Sequence, residues 1–476
     1  MANKTLCIAE WEEFGVEEIE SVIASETKQS IESQKDSIKS AESSSKIDCH
    51  DSANAESRND DSSKAQKIFA EFVKFAQQEG NHKFLKFKNP KTLKAQNYAG
   101  LIQVKSGFCV EILPKTFRAE KDGEGFKSQN SQESEAKNSI EEAKQILLSM
   151  LKTLRKSPFK KSDISTLKTH KFPLLEIFAI MFLDEVERLI KKGIKSDYVA
   201  VEQNRHFLKG KLLWTQNLKY NFAHKERFFT QSDEFISDIA PNRLIVSTLL
   251  FLSRQNFSLK TDTRIKQSRF VFEAIKPSQN ISKDLAKSVN LRHYKSYELV
   301  LLWCKIFLKQ QSFLQYFGKD KAFALLFDMN KLFESFVASH LRKCSAKISF
   351  QEKSDFLLKC GEPLFKIKPD IVCKDENKTL FIADTKWKII SSFKDISQAD
   401  LYQIFAYLAT YKCEKGILIY PKIKGNENTE QEFEKEFSYK ATLEGKTLKL
   451  KICFFDVSSD KNAKESAKNL IETCKD

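Results

Sequence analysis

Two aspartates and a lysine stand at a spacing that suits metal-dependent phosphoryl chemistry. Asp370 follows Pro369, and Asp384 comes 14 positions later, two residues before Lys386. Alternate side chains of a β-strand share a face, so Asp384 and Lys386 point the same way. A turn near 375–377 folds the chain back as a hairpin. We therefore predict that the two carboxylates become neighbours across two strands.

Two carboxylates in a partly apolar sheet repel each other unless a cation neutralises them. Mg²⁺ prefers a few carboxylates together with water and phosphate oxygens, and it polarises a scissile phosphate and acidifies bound water. We predict Asp370 and Asp384 as ligands of Mg²⁺, with Mn²⁺ as a substitute. Lys386 would orient or deprotonate the attacking water, or stabilise the charge that develops on the phosphorane. The alternative is a salt bridge among the three residues, without chemistry.

Two flanking helices add candidates for the same site. Glu334 precedes the strands and would reach the metal directly or through water, which makes it a further catalytic and metal-ligand candidate; the alternative is a surface acid with an i,i+4 contact. Gln403 and Tyr407 are four residues apart and share a helix face. They would contact DNA or hold Lys386, and the alternative for Tyr407 is a place in the core.

The elements that must position these residues follow the order helix, three strands, helix, two strands. Apolar periodicity predicts the helices and strands within a third domain at 319–476. The predicted helices are Ala322–Lys343 and Ser397–Tyr411, and the predicted strands are Lys347–Leu358, Leu364–Cys373, Thr379–Lys388, Gly416–Pro421 and Thr447–Phe455.

The rest of the chain predicts two further domains, so that the fold class is α/β, or α+β overall. Residues 140–318 show mainly helical periodicity. Residues 1–139 form a β-rich domain with a hairpin around Gly107. Two segments within it, 25–64 and 119–139, are predicted to be disordered insertions, because the first contains 12 Ser and no Phe, Tyr or Trp.

Composition limits the classes of partner and the compartment. The formal net charge of +15 favours a polyanion such as nucleic acid, although a lysine-rich proteome would produce the same excess. No apolar stretch is long enough and free enough of charge to span a bilayer, so we expect no membrane association. The N-terminus lacks a signal-peptide pattern, and none of the 10 Cys forms a CxxC pair. We therefore expect a reduced, cytoplasmic protein.

These motifs together resemble a known nuclease family. Residues 320–420 look like the PD-(D/E)xK fold, which has an αβββαβ core. The combination of 328–334, Pro369-Asp370 and 384–387 resembles, more narrowly, the McrC family, the nuclease subunits of McrBC and LlaJI-type restriction systems. Further upstream, 111–115, 204–205 together with 209–212, and 242–244 are similar to that family as well. The second acid, Asp384, replaces the more common Glu and is an accepted variant in such members.

The resemblance implies a partner and a substrate. McrC-like proteins act with an AAA+ GTPase ring, McrB, which recognises DNA with modified cytosine and whose hydrolysis they stimulate. The sequence has no G-x-x-x-x-G-K-[S/T] phosphate loop, so we expect no nucleotide bound by this chain. The N-terminal and middle domains would dock on the ring. The cationic candidates at that interface, whose alternative role is to stabilise the fold, are Arg205, Lys209, Lys211 and Arg243.

Three hypotheses therefore follow from the sequence. The first is a Mg²⁺-dependent DNA endonuclease subunit that acts with the GTPase ring. The second is a non-catalytic adaptor that only activates a ring NTPase, against which stands the presence of both aspartates with the lysine. The third is a stand-alone repair or tRNA nuclease of the same fold, and a neighbouring gene for an AAA+ protein would argue against it.

Overall fold

The chain divides into two compact units. The computed structural model describes residues 4–24, 52–116, 129–154, 157–161, 172–289, 292–309, 322–345, 347–352, 356–360, 362–375, 378–422, 432–433, 435–443 and 445–473. One unit comprises Leu175–Leu314, and the other joins Lys4–Leu174 with Gln315–Asp476. The larger unit is therefore discontinuous in sequence. No helix within the described residues is long and apolar enough to cross a membrane.

The larger unit contains two small sheets near its N-terminus. Their strands are β1 (Thr5–Ala9), β2 (Glu13–Gly15), β3 (Leu85–Asn89), β4 (Thr92–Ala95), β5 (Tyr98–Gln103), β6 (Cys109–Leu113) and β10 (Phe323–Asp328). One sheet has the order β1-β6-β5-β10 and the other β2-β4-β3. The predicted hairpin is confirmed, since β5 and β6 pair antiparallel. Gly107 permits the turn between them because its φ of 87° suits glycine.

Two helices pack against these sheets, and the second does so with aromatic side chains. Residues 16–24 are helical and are labelled α1, and α2 follows at Ser52–Gln77. Phe72 of α2 meets Phe14 and Phe108 edge-on, with ring centroids 5.5 and 6.3 Å away. All three rings are buried, and edge-to-face pairs of this kind add to the gain from burial. This packing explains why α2 forms at all, since an isolated helix with so few apolar residues is marginal in water.

A six-stranded sheet forms the C-terminal part of the same unit. Its strands are β11 (Ile348–Phe350), β14 (Ile371–Asp375), β15 (Lys378–Thr385), β16 (Lys415–Lys422), β17 (Phe437–Leu443) and β18 (Lys446–Asp456), and β12 (Phe356–Cys360) and β13 (Glu362–Lys366) form a separate hairpin. The sheet order is β11-β14-β15-β16-β18-β17. The strands β14 and β15 pair antiparallel, whereas β15, β16 and β18 run parallel. The central strand β16 reads as a continuous apolar run because both of its faces are covered.

Three helices flank this sheet, and they are α10 (Met329–Cys344), α11 (Gln398–Thr410) and α12 (Asp460–Thr473). A further helix, α3 (Gln129–Thr153), packs against α10 and against β6 of the N-terminal sheet. The helix α10 begins at Asp328, whose side chain accepts a hydrogen bond from the backbone N–H of Asn330 and so caps the first turn. The hydroxyl of Ser335 on α10 donates to the carbonyl of Thr153 at the end of α3. The predicted helix and strands at 397–421 and 447–455 are confirmed by α11, β16 and β18.

The smaller unit is helical with one small sheet. Its helices are α4 (Leu174–Lys191, of which Leu174 belongs to the other unit), α5 (Trp214–Asn221), α6 (Ala240–Leu252), α7 (Leu259–Val271), α8 (Ile281–Val289) and α9 (Glu298–Lys309). Its strands are β7 (Asp197–Arg205), β8 (Lys211–Leu212) and β9 (Phe228–Ile236), in the order β7-β9-β8. The prediction of a mainly helical middle region missed this sheet, because its strands carry exposed side chains on both faces and show no clear alternation.

The structure divides the chain differently from the three predicted domains. The boundary at 318/319 separates β10 from the region that contains its partner β5, although the two strands pair over six residues. The boundary at 139/140 lies inside α3. The N-terminal β-rich region, predicted as a docking domain, shares its unit with the predicted nuclease residues. Pairing between strands more than 200 positions apart leaves no local signal in the sequence.

Three predicted segments also need correction. The helix predicted from Ala322 is the strand β10 up to Asp328, because its apolar run completes the edge of the N-terminal sheet. The predicted disorder of 25–64 is wrong from Ser52 onward, where α2 begins, and 25–51 lies outside the described residues. The predicted disorder of 119–139 is wrong from Gln129, where α3 begins, and the part before it is not described. In α2 and α3, the second half of the helix packs against the fold. The first half adds further helical turns toward the N-terminus at little cost in free energy, because propagation of a helix is easier than its nucleation.

Candidate functional site

The strands β14 and β15 bring the two predicted aspartates together. Ile371 pairs with Ala383 in antiparallel register, so Asp370 and Asp384 occupy the next pair of positions at the end of the ladder. Lys386 follows the end of β15, and its backbone N–H donates to the carbonyl of Ile419 on β16 at 2.8 Å. The sequence prediction that the two carboxylates become neighbours across two strands is therefore confirmed.

Asp370 is oriented by a residue that the sequence analysis did not single out. Its Oδ2 accepts hydrogen bonds from the backbone N–H of Thr385 at 2.9 Å and from the hydroxyl of the same residue at 2.7 Å. One carboxylate oxygen is thereby fixed against β15. The only signal for Thr385 in the sequence was its place between Asp384 and Lys386.

Asp384 is buried and carries a strongly raised pKa. Its side chain is almost inaccessible to solvent, and its Oδ2 lies 2.6 Å from Nζ of Lys386. Burial, followed by the repulsion from Asp370, raises the pKa of Asp384 to about 7, although the nearby Lys386 opposes the shift. The single ammonium group therefore does not compensate the negative charge that gathers here.

Glu334 extends this negative charge from α10. Burial and then the charge of Asp370 raise the pKa of Glu334. The side chain of Gln351 donates to Oε1 of Glu334 at 2.5 Å, and the backbone N–H of Gln351 donates to the carbonyl of Asp370 at 2.9 Å. Gln351 adopts a φ of 50°, which is uncommon for a residue with a side chain. This conformation connects the α10 carboxylate to the strand that begins after Asp370.

The acidic residues fit a hard divalent cation in an open site. Among the described residues, no three His, Cys, Asp or Glu side chains form a ready-made cage for a metal ion. Mg²⁺ does not need one, since it is commonly held by one or two carboxylates and completes its octahedron with water and phosphate oxygens. The raised pKa values of Asp384 and Glu334 mark uncompensated charge, which is the condition that a cation would relieve.

Lys386 is held in place by groups on α11. Its Nζ donates to Oε1 of Gln403 at 2.7 Å, and Nε2 of Gln403 donates to the hydroxyl of Tyr407 at 2.7 Å. The hydroxyl of Tyr407 lies 3.4 Å from the carbonyl of Lys368, to which it donates. Of the roles considered for Gln403 and Tyr407, the geometry matches that of holding Lys386. The ring of Tyr407 is also buried in the C-terminal core.

Asp400 adds a second carboxylate beside Lys386. It is buried on α11, and its oxygens lie 3.4 Å from Nζ of Lys386 and 2.6 Å from Nζ of Lys388. The sequence analysis missed both Asp400 and Lys388. A signal existed, because Asp400, Gln403 and Tyr407 follow one another at spacings of three and four and therefore share a helix face.

The four predicted interface cations belong to the smaller unit, and they differ in exposure. Arg205 is buried and bonds to Ser232 and Glu234 on the neighbouring strand β9. Arg243 is bound to Asp284 and Asp238. Lys211 is exposed, and Lys209, which is half exposed, pairs with Glu234 at 3.0 Å.

Exposed aromatic side chains are frequent in the segment of sequence that carries Arg205, Lys209 and Lys211. Within residues 198–235 of the smaller unit, six aromatic side chains are each more than half exposed; they are Tyr198, Phe207, Trp214, Tyr220, Phe222 and Phe235. We call these six residues the aromatic patch. Tyr198 and Phe235 face each other across β7 and β9, with ring centroids 5.2 Å apart. Apolar exposure on this scale is typical of an interaction surface.

Comparison with known proteins places the chain among restriction-system components. The model of a family described as "McrBC 5-methylcytosine restriction system component" matches residues 93–421. No curated protein matches. A chain in the refined half-complex of Thermococcus gammatolerans McrB AAA+ hexamers with bound McrC has a TM-score of 0.60 at 18% identity, over 98% of this chain and 100% of that chain. A chain in the cryo-EM structure of the McrBC complex from the same organism has a TM-score of 0.42 at 18% identity, over 71% and 87% of the two chains.

Proposed function

Because the chain belongs to the family of McrBC 5-methylcytosine restriction system components, we propose that it is the DNA endonuclease subunit of a modification-dependent restriction complex. The observation that carries this proposal is the pairing of Asp370 and Asp384 at the end of β14 and β15, with Lys386 beside them. The order α10, β11, β14, β15, α11, β16, interrupted by one extra hairpin, supports the PD-(D/E)xK interpretation of this region.

Asp370 and Asp384 would hold Mg²⁺, with Mn²⁺ as a substitute, and Glu334 would reach the ion directly or through water. The bound ion would polarise the scissile phosphate and make its water more acidic. Thr385 and Gln351 orient the carboxylates, so that little rearrangement is needed when the ion binds.

Lys386 would act on the nucleophile and on the charge of the transition state. Gln403 fixes its ammonium group close to Asp384. If a cation satisfied Asp384, the ammonium group would no longer be needed to balance that carboxylate and would be available to the attacking water or the phosphorane oxygens. A preorganised cation of this kind stabilises developing charge more strongly than water does.

The substrate that fits this arrangement is double-stranded DNA carrying modified cytosine. The family description names 5-methylcytosine, and the net charge of +15 favours a polyanionic ligand. Recognition of the modified base is assigned to the partner, and this chain supplies the hydrolysis. Such a division of labour explains why the acidic residues of this chain are arranged for phosphoryl hydrolysis. It also explains why no nucleotide-binding loop occurs in the sequence.

Asp384→Asn tests the catalytic assignment, because it removes the negative charge and preserves the shape of the side chain. We expect cutting of methylated duplex DNA, measured with Mg²⁺, the ring partner and its nucleotide, to fall at least about a hundredfold. Lys386→Ala should act in the same direction, and removal of Mg²⁺ with a chelator should abolish cutting by the unmodified protein.

The matched control for this test is Asp375→Asn at the other end of β14. Asp375 is half exposed and forms a surface ion pair with Lys347, so its substitution should leave cutting unchanged. Cutting that persists in Asp384→Asn would contradict the assignment of the site.

The partner that fits the smaller unit is an AAA+ ring of the McrB type. The solved structure with the same fold contains McrC bound to McrB AAA+ hexamers. In this chain the aromatic patch, with Lys209 and Lys211 on the same segment, supplies exposed apolar and cationic groups for such a contact. Arg205 and Arg243 are bound within the unit and would support that surface rather than touch the ring.

Trp214→Ser combined with Phe222→Ser tests this docking surface. Both side chains are largely exposed, so the double substitution should spare folding while binding to the ring and stimulation of its nucleotide hydrolysis are lost. The control is Phe270→Ser, at an equally exposed position of the same unit outside the patch. Undiminished stimulation by the double variant would rule the patch out as the docking site.

The aromatic patch also favours a second candidate function, that of an adaptor which only activates the ring. This candidate predicts that Asp370→Ala and Lys386→Ala leave restriction of methylated phage DNA unchanged in cells, while the patch variants abolish it. The endonuclease proposal predicts that both sets of variants abolish restriction. The two functions are therefore separated by one assay on the same strains.

A further inference from the structure

The residue that follows Lys386 is anchored by the N-terminal part of the chain. Trp387 is buried and lies in a tight turn just after β15, in which the backbone N–H of Lys388 donates to the carbonyl of Lys386 at 2.8 Å. Its indole Nε1 donates to Oε2 of Glu10 at 2.9 Å, across 377 positions of sequence. Its backbone carbonyl accepts a hydrogen bond from Nζ of Lys115. Trp387 is thus fixed at both its side chain and its main chain.

Glu10 is an unusual anchor, since it is a completely buried carboxylate. It follows β1, and its Oε2 also accepts from the backbone N–H of Lys115 at 2.9 Å. Its Oε1 is buried and has no hydrogen-bond partner among the described residues. Burial raises the pKa of Glu10 to about 7 despite the nearby Lys115. Holding such a group inside the fold is costly compared with an apolar side chain of the same size.

Lys115 completes the anchor from the segment after β6. Its Nζ lies 5.4 Å from the centre of the Trp387 ring, within range of a cation–π contact. On its other side the ring of Trp387 packs against Phe333, at 5.3 Å between centroids. Phe333 directly precedes Glu334 on α10. The indole of Trp387 therefore connects the segment that carries Lys386 with the helix that carries Glu334.

We propose that Glu10 and Lys115 are positioning residues of the nuclease site, which act through Trp387 to set Lys386 against Asp384 and the scissile phosphate. The inference rests on the proposed endonuclease function. A buried carboxylate and a buried ammonium group kept for stability alone are weakly justified, because apolar replacements are often at least as stable. A pair that fixes the orientation of one indole and one carbonyl beside the catalytic cation has a geometric purpose that apolar packing cannot supply.

Two variants test the role with little disturbance of packing. Trp387→Phe removes the Nε1–H and keeps an aromatic ring, and Lys115→Met removes the ammonium group and keeps the length of the side chain. We expect each to lower the single-turnover cutting rate about tenfold to a hundredfold, since small misplacements of a catalytic group cost this much. The KM for DNA should stay unchanged. Glu10→Gln retains an oxygen acceptor for the indole, so this variant should keep most of the cutting rate of the unmodified protein.

The matched control is Lys144→Met. Lys144 and Glu111 form a buried ion pair of the same unit, at 2.8 Å, whereas the contacts described for Trp387 are with Glu10, Lys115 and Phe333. This variant should lose thermal stability to a similar extent but keep the cutting rate of its folded fraction. If Trp387→Phe and Lys115→Met also keep that rate, the cluster is only structural and the proposal is overturned.

The inference and the proposed function fail in different ways. No cutting by the unmodified protein, under conditions in which it binds the ring and DNA, would refute the endonuclease proposal itself. Normal cutting by the unmodified protein, with Trp387→Phe and Lys115→Met variants that match the control, would refute only the positioning role. A Lys115→Met chain that does not fold leaves the test to Trp387→Phe, whose rate decides the outcome.

Discussion

At the scale of single residues, the site is defined by negative charge on carboxylates that are partly or fully buried. Asp384 is almost fully buried and faces Asp370 across the strand pair. Lys386 pairs with both Asp384 and Asp400 and also donates a hydrogen bond to Gln403. Its one ammonium group cannot neutralise both carboxylates. Uncompensated negative charge of this kind is common at functional sites, because binding of a cation relieves the repulsion between the carboxylates.

Glu10 gives a pH dependence of stability whose sign is fixed by its raised pKa. The pKa of this carboxyl is about 7 in the folded chain against 4.5 in the unfolded chain. Between these pH values the folded state binds more protons than the unfolded state. The contribution of Glu10 to stability is therefore complete below pH 4.5 and is lost as the pH rises to about 7. We expect the free energy of unfolding to fall across this window by a few kcal/mol relative to Glu10→Gln, about 1.4 kcal/mol per unit of pKa difference.

Urea denaturation of the two proteins at several pH values within the window measures this difference. Glu10→Gln has no carboxyl to titrate at this position, and both proteins keep Lys115, so the comparison isolates residue 10. A difference in stability that stays constant across the window would contradict the assigned pKa.

At the scale of elements, the strand β10 shows how a distant partner decides a local conformation. Its segment, Phe323–Asp328, has the apolar content of a buried helix and continues directly into α10. It becomes a strand because β5 offers an unpaired edge, with which it aligns over its whole length. The close approach depends on Gly100, which has a φ of 141°, and a Cβ there would lie 2.0 Å from the carbonyl oxygen of Leu325.

Gly100→Ala should therefore destabilise the larger unit by more than about 3 kcal/mol, since it combines a disfavoured φ with a clash against backbone that cannot move alone. The comparison is Gly107→Ala in the β5–β6 turn, where φ is 87° but nothing lies within 4 Å of the added Cβ. That change should cost only about 1 to 2 kcal/mol. Thermal or urea unfolding measures both, and equal losses would mean that β5 and β10 are not so closely packed.

At the scale of the whole molecule, the candidate active site belongs to a unit assembled from both ends of the chain. Residues 4–174 and 315–476 form one compact unit. Within it, the N-terminal sheet receives β10 and supplies Glu10 and Lys115 to Trp387. We therefore expect that the C-terminal region cannot form the candidate site by itself, although it contains all the motif residues.

A fragment of 319–476 should fail to form an active site for this reason. Without β5 the edge of β10 is unpaired, and such an edge promotes aggregation. Without Glu10 the indole of Trp387 loses its acceptor. We expect the fragment to be insoluble or to lack cooperative unfolding, as measured by circular dichroism, and to show no cutting of DNA. A fragment that folds cooperatively and cuts DNA would show that the N-terminal part is dispensable.

The sequence by itself determined the chemistry of the candidate site and most of its local scaffold. The spacing of Asp370, Asp384 and Lys386 predicted a hairpin that brings two carboxylates together, and the pairing in β14 and β15 agrees. The helical spacing of Gln403 and Tyr407 predicted a shared face, and both groups lie in one hydrogen-bonded chain with Lys386. These features were accessible because strand and helix periodicities act over a few residues.

Only the tertiary structure decided which distant segments support that site. Gln351 reached Glu334, β10 became a strand, and Glu10 met Trp387 through contacts between positions far apart in the chain. Such contacts depend on which faces become buried together when the whole unit folds, and no local pattern encodes that choice. The exposure of the aromatic patch was equally out of reach, because aromatic residues in a sequence look the same whether a core or the solvent surrounds them.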